Sequence, residues 1–282
     1  MLKADLTRPG VWTELFPFAL RLMDHLESVT TAPVWSFGGG TVLMLRLAHR
    51  QRKDIDLFVP DPQYLGHLNP RLSEVAESVS TDYEEAAEHI RLRRPQGEID
   101  IVVGTPLTDN PFEWVSYQGR AIRVETSAEI LAKKMWHRGD RAKVRDLFDI
   151  WAVATREPGA IAGALPFVQK RGREFLDAFR SPTRLQREDF DAIDVIGAPP
   201  TFEECVDVAT QAIEPALGSF HLARPVPAAA RWVRTGRSAG LRLRAAQCQY
   251  ADGAACSAAH IRSSRQSSAQ VWSRSACLPA SR

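Results

Sequence analysis

The stretch Val34-Trp35-Ser36-Phe37-Gly38-Gly39-Gly40-Thr41-Val42-Leu43-Met44-Leu45-Arg46-Leu47, with Asp54-Ile55-Asp56-Leu57-Phe58-Val59 after it, decides the fold. A short apolar run that stops at three glycines and resumes as a continuous apolar segment reads as strand, tight turn and helix. The second run alternates and stops at Pro60, which marks another strand. Asp54 and Asp56 lie two apart on it, so both carboxylates leave one face about 7 Å apart, while Ile55, Leu57 and Val59 face the other way. A pair of like charges held there wants a cation. A hard divalent ion such as Mg2+, sharing carboxylate and phosphate oxygens, is the commonest chemical reason for it; a solvated strand face is the alternative. Upstream, Gly39 and Gly40 let the backbone approach a ligand closely, and helix N–H groups with the Thr41 hydroxyl face an anion, phosphate being the natural one. A ligand-free turn is the alternative there. The combination, Gly39-Gly40-Thr41, twelve intervening residues and then Asp54-x-Asp56, favours nucleotide chemistry over either.

Working outward, Asp100 in Glu98-Ile99-Asp100-Ile101-Val102-Val103 sits on a further strand and is expected to close a carboxylate triad with Asp54 and Asp56. Glu98 shares its face; Asp100 is preferred because it lies deeper in the apolar run. Three acids can hold a metal and take a proton from an attacking hydroxyl, the usual arrangement for nucleotide transfer. Lys134, Arg141 and Arg145 recur at intervals of seven and four, sharing one broad face if the helix passes Gly139-Asp140. A basic face opposite three acids suits a polyphosphate; a solvated charged helix is the alternative. Asp146 either ties down Arg145 or caps a neighbouring segment.

The surrounding pattern gives the architecture. Leu15, Phe18, Leu22 and Leu26 mark an amphipathic helix over 11–29, with Pro17 in its first turns. A helical stripe covers 68–79, strands are expected over 85–93 and 98–103 around a turn at 95–97, and 114–124 reads as a hairpin through Gln118-Gly119. After Thr126-Ser127, a helix cap, the pattern is helical over 127–137, 142–155, 159–179, 183–193 and 201–216. The expected fold is α/β, a mixed-sheet domain over 1–125, followed by a helical domain over 126–223 and an Arg/Ser/Ala-rich tail over 224–282. No internal repeat at a fixed period is evident.

Composition supports that division. Of 282 residues, 44% are hydrophobic and 25% charged, an ordinary globular mix that excludes a small disulfide scaffold. The formal net charge of +2 hides a split: residues 224–282 hold ten arginines and one acid, Asp252, leaving a net negative charge on residues 1–223. With so few large apolar residues to offset ordering entropy, the tail is expected to be disordered. Cys248, Cys256 and Cys277 in it have no CxxC spacing, and the histidines form no metal pattern. With Cys205 alone in the folded part, and no leader or membrane span recognisable, the expected location is the cytoplasm. Trp136 and Trp151 are expected in the core.

The order of features resembles a known family. Phe37-Gly38-Gly39-Gly40-Thr41-Val42-Leu43, then Arg50-x-x-x-Asp54-Ile55-Asp56-Leu57-Phe58, then Ile99-Asp100-Ile101, then Glu129-Ile130-Leu131-Ala132-Lys133-Lys134 with Arg141 and Arg145-Asp146-Leu147-Phe148-Asp149, is similar to the AbiEii/AbiGii and MenT nucleotidyltransferase toxins over residues 35–152, and more loosely to 218. The resemblance implies a polymerase-β-like nucleotidyltransferase core with a helical C-terminal module, use of Mg2+ and an NTP, transfer to tRNA acceptor ends, and a cognate antitoxin. It implies that Gly39, Gly40 and Thr41 contact the triphosphate, that Asp54 and Asp56 hold the metal and that Asp100 is the third acid. Lys134 becomes a triphosphate contact, and Arg145 and Asp146 part of the family's Arg-Asp helix. One departure stands out: many relatives carry serine two residues before the first metal aspartate, where this chain has Arg52. That cation either alters nucleotide or acceptor choice or points to solvent. Transfer to a protein or small molecule, and a non-catalytic nucleotide- or RNA-binding role, remain the alternatives.

Overall fold

The computed structural model describes residues 1–218, so the expectations for the tail 224–282 and its three cysteines lie outside the described residues. Regular structure starts with α1 (Trp12–Val29), whose buried stripe includes Leu15, Phe16, Leu22 and Leu26. Pro17 lies in its first turns, where a missing N–H costs little. The expected strand, turn and helix follow as β1 (Ser36–Gly38) and α2 (Gly39–Leu47), with β2 (Ile55–Val59) after them.

The expected single helix over 68–79 is two short ones, α3 (Tyr64–Leu68) and α4 (Glu74–Val79). Pro70 explains the break, since it disfavours helical backbone at Asn69 and brings no N–H. Ser73 then restarts the helix by accepting from the Ala76 amide at 3.3 Å. The strand expected over 85–93 is likewise a hairpin, β3 (Tyr83–Ala86) and β4 (His89–Arg94), because alternation carries across the tight turn between them. Then come β5 (Gly97–Val103), β6 (Phe112–Tyr117) and β7 (Arg120–Glu125). Gln118 and Gly119, with φ of 50° and 83°, form the left-handed pair that a two-residue hairpin turn requires.

The seven strands make one mixed sheet in the order β3-β4-β5-β2-β1-β7-β6. The β1–β7 and β2–β5 pairs are parallel and the others antiparallel. One face is apolar: Phe37 pairs with Leu57, Leu57 with Ile101, and Phe16 of α1 lies 4.7 Å from Phe37 between ring centroids. The register of the opposite face is what matters for function. Gly38 pairs with Asp56, Asp56 with Asp100 and Asp100 with Arg91, so a glycine, two acids and an arginine form one row across four strands.

The helical part is α5 (Ser127–Arg138), α6 (Val144–Arg156), α7 (Gly159–Gly163), α8 (Leu165–Asp177), α9 (Arg184–Asp191) and α10 (Phe202–Gly218). Thr126 caps α5, accepting from the Glu129 amide at 3.2 Å. The helix expected over 159–179 is divided at Ala164 because Pro166, at the start of α8, lacks the N–H that would continue it. Lys133 joins α5 to the sheet: its ammonium lies 2.5 Å from Glu125 Oε1 and 3.7 Å above the Phe58 ring. Trp136 corrects an expectation. It is 43% exposed, edge-on to Phe167 with Lys170 over its ring, because its side of α5 faces α8 and solvent rather than the sheet. Trp151 is half-buried against Phe148. Among the described residues no helix is long and apolar enough to cross a membrane.

Candidate active site

The site begins at the turn between β1 and α2. Gly39 has φ of +70°, a region that residues with a Cβ rarely adopt, and a Cβ placed there would collide with the Asp56 carboxylate. Bare backbone therefore packs directly on the acid. The first amides of α2 have no partner within the helix, which suits an anion. Thr41 is fully buried and its hydroxyl donates to the Asp54 carbonyl, pinning α2 to the approach to β2 rather than facing an open anion site.

Asp56 and Asp100 are the acids that come together. Desolvation raises the Asp56 carboxyl above its ordinary value, and Asp100 adds to the rise. Arg52, Lys134 and Arg138 oppose it, Arg52 most strongly. Asp100 is held by a two-pronged bond from Arg91, Nε to Oδ1 at 2.7 Å and Nη2 to Oδ2 at 3.0 Å. Asp54 stands apart. It lies one residue before β2, accepts the Glu98 amide at 3.3 Å and has Arg52 Nη2 3.3 Å from its Oδ2. Among the described residues no three acids, histidines or cysteines converge as an ion-holding group. The expected triad is thus a pair plus a neighbour tied to Arg52.

The opposite wall is cationic. The half-buried Arg145 side chain makes no hydrogen bond or ion pair among the described residues. Burial lowers its pKa first and Arg52 next, Asp146 opposes, and Arg138 and Arg50 lower it further. Lys143 is lowered chiefly by Arg145. Positive groups crowded against one another with little acid between them are what an entering polyanion would relieve.

Behind this wall lies a buried ionic network. Lys134 Nζ is 2.5 Å from Asp146 Oδ1 and 2.8 Å from Asp149 Oδ2. Asp149 also accepts from Arg50, and His49 Nε2 lies 2.9 Å from it. Asp146 does cap a segment, accepting the Lys143 amide at 3.1 Å at the start of α6. Arg141 is separated from this group. The chain leaves α5 at Gly139 in a short 3-10 turn, and the Arg141 side chain is 80% exposed beside Asp140.

The family model for the nucleotidyl transferase AbiEii toxin of type IV toxin–antitoxin systems matches residues 21–215. The chain belongs to this family. It is therefore a nucleotidyltransferase, and its family is that of the toxin component. Two solved structures similar to it are a putative nucleotidyltransferase from H. pylori (14% identity, 73% of this chain and 95% of that one, TM-score 0.44) and the nucleotidyltransferase toxin MenT4 from Mycobacterium tuberculosis (20% identity, 73% and 83%, TM-score 0.45). No curated protein matches the sequence.

In this AbiEii-family nucleotidyltransferase the row and the network account for residues that sequence reasoning left without a role. Arg50 and Asp149 were visible as motif positions, but their partnership spans 99 residues of sequence and leaves no local trace. Arg91 reaches Asp100 only through the β4–β5 register. His49 is buried because α2 ends at Ala48 with a left-handed φ of 50°, and no spacing signals that. A cavity of about 590 Å³ elsewhere, lined by Leu2, Thr108, Thr126 and Glu157 among others, contains none of these acids.

Proposed function

We propose that this AbiEii toxin transfers a nucleotide from an NTP to an acceptor hydroxyl on RNA, the tRNA 3′ end, using Mg2+, and that a cognate antitoxin restrains it in the cytoplasm. The observation that carries this reading is the juxtaposition of Asp56 and Asp100, in register beneath the Gly39 turn, with the anion-free guanidinium of Arg145.

The donor set fits the ion. Mg2+ is commonly bound through one or two carboxylates, completing its shell with phosphate oxygens and water, and Asp56 with Asp100 or Asp54 offers such a pair. When bound, the ion supplies charge neutralisation and alignment of the phosphates. The amides at Gly39 and Gly40 and the Arg145 guanidinium bind the triphosphate. Asp100, oriented by Arg91, stands beside Asp56 to receive the proton of the attacking hydroxyl. Lys134 and Asp146 act by placement: their ion pair holds α5 against α6 so that the Lys134 charge reaches Asp56. Most of the barrier lowering comes from positioning and charge neutralisation.

The test is incubation of the full chain with each labelled NTP, Mg2+ and total tRNA, comparing wild type with Asp56→Ala. Label reaching tRNA only with Asp56 intact supports the proposal. Label on the protein itself, or on a small molecule in place of tRNA, moves the acceptor; no transfer with any NTP rejects the proposed reaction.

A further inference from the structure

Arg52 lies between α2 and β2, and its head reaches back over the start of α2. A Cβ built on Gly40 would stand 2.9 Å from Arg52 Nε and 3.5 Å from Cζ, so the guanidinium rests on the open face of that glycine. The side chain is 17% exposed, which excludes the solvent-pointing alternative. Its backbone amide donates to Met44 Sδ at 3.2 Å, fixing the point from which the side chain leaves. The head is under-used: it holds the 3.3 Å ion pair to Asp54, while Nε is buried with no hydrogen-bond partner. A guanidinium offers five N–H donors in a fixed fork suited to phosphate and carboxylate.

Its guanidinium meets Asp54 on one side and lies over Gly40, in the first turn of α2, on the other. One cation therefore stands between an acid of the site and the α2 amides. That is where phosphate would pass, and Arg52 holds the one acid of three that is drawn away from the others.

We infer that Arg52 is a ligand for the phosphates of the nucleotide, and that without nucleotide it rests on Asp54 in place of a divalent cation. The inference builds on the transfer reading above. Entry of an NTP gives Arg52 a phosphate oxygen in exchange for the Asp54 carboxylate, and Asp54 is then free to join Asp56 and Asp100. Nucleotide and ion therefore bind with positive coupling, reciprocal by thermodynamic necessity.

The test measures binding rather than turnover. Mn2+ binding is followed by electron paramagnetic resonance, and binding of a non-hydrolysable NTP analogue by titration calorimetry, each alone, for the full-length wild type, Arg52→Ser and Arg52→Lys, with thermal unfolding to confirm the fold. Arg52→Ser is expected to bind Mn2+ alone about tenfold more tightly and the metal-free analogue about tenfold more weakly, the scale of one charge-assisted contact. Arg52→Lys, keeping the charge without the fork, falls between. In Arg52→Ser, either affinity unchanged or both weakened overturns the inference. If wild type binds both ligands and Arg52→Ser matches it, this inference alone fails. If wild type binds neither, the transfer reading fails and this inference with it.

Discussion

Asp149 grips Arg50 with both oxygens, Oδ1 at 2.7 Å from Nε and Oδ2 at 3.0 Å from Nη2, clamping the segment after α2 to the middle of α6. Lys134 and His49 converge on the same carboxylate, which is fully buried. Removing it leaves Arg50 and His49 in the interior without their shared acid, and Lys134 with Asp146 alone. Asp149→Ala is expected to cost about 3–5 kcal/mol, the usual penalty for orphaning a buried ionic partner, read by urea unfolding at neutral pH. A loss under 1 kcal/mol would show that water replaces the carboxylate at little cost.

The same carboxylate predicts an acid limb. Despite burial, Arg50 and then Lys134 hold Asp149 well below its ordinary pKa of 3.8. A lowered folded pKa gives stability that is present above 3.8 and lost as pH falls below it toward the folded value. Unfolding free energies measured from neutral pH down to pH ~3 should therefore decline more gently in Asp149→Asn than in wild type.

Asp56 has the opposite sign. Its carboxyl is raised by desolvation, so its stabilising contribution is present below its ordinary 3.8 and lost as pH rises through the higher folded value. At neutral pH the ionised acid is a burden on the metal-free fold. Asp56→Asn is expected to melt higher than wild type in chelator at neutral pH while losing transfer, and wild type alone to gain stability when Mg2+ and an NTP analogue are added together. A lower melting temperature for the variant would contradict this account of the site.

Arg145 and Arg141 separate function from ordinary surface charge. Arg145 has no ionic partner among the described residues and is crowded by other cations, so Arg145→Ala should leave the fold as stable or more so while raising the NTP KM about tenfold. Arg141, exposed beside Asp140, should tolerate alanine with KM unchanged. Equal effects at the two positions would remove Arg145 from the phosphate wall.

Gly39 and Gly119 form a second matched pair, since both have positive φ but only Gly39 abuts an acid. Gly119→Ala should cost about 1–2 kcal/mol of backbone strain and leave transfer intact. Gly39→Ala meets the Asp56 carboxylate as well and should abolish transfer as Asp56→Ala does, measured in the same labelled-NTP assay.

The parts of the molecule legible in its sequence are those set by neighbours along the chain. The apolar run ending at three glycines, the alternation over 54–59 and the Gln118-Gly119 turn each fix a conformation locally; the turn and both strands are found, the second starting at Ile55 so that Asp54 falls just before it. The Asp56–Asp100 pairing followed from two strands with one polar face each. Other features depend on contacts that spacing does not encode. Asp54 leaves the acids because a guanidinium two residues earlier folds back over Gly40, and Trp136 is exposed because α8 covers only part of its helix. Arg141 parts from Lys134 because Gly139 ends the helix between them.

The joint at Lys133 divides the lysines of the described chain by chemistry. Lys3, Lys53, Lys143 and Lys170 are exposed, whereas the ammonium groups of Lys133 and Lys134 are 7% and 12% exposed and engaged by acids on different sides of α5. Among these lysines an amine-directed reagent will therefore tag four, besides the terminal amine, and pass over two adjacent ones. Of the four, Lys143 stands in the cationic wall beside Arg145, so amine labels will report on that wall as well as on the surface, and late labelling of the 133–134 peptide would time the moment at which α5 comes away from the sheet.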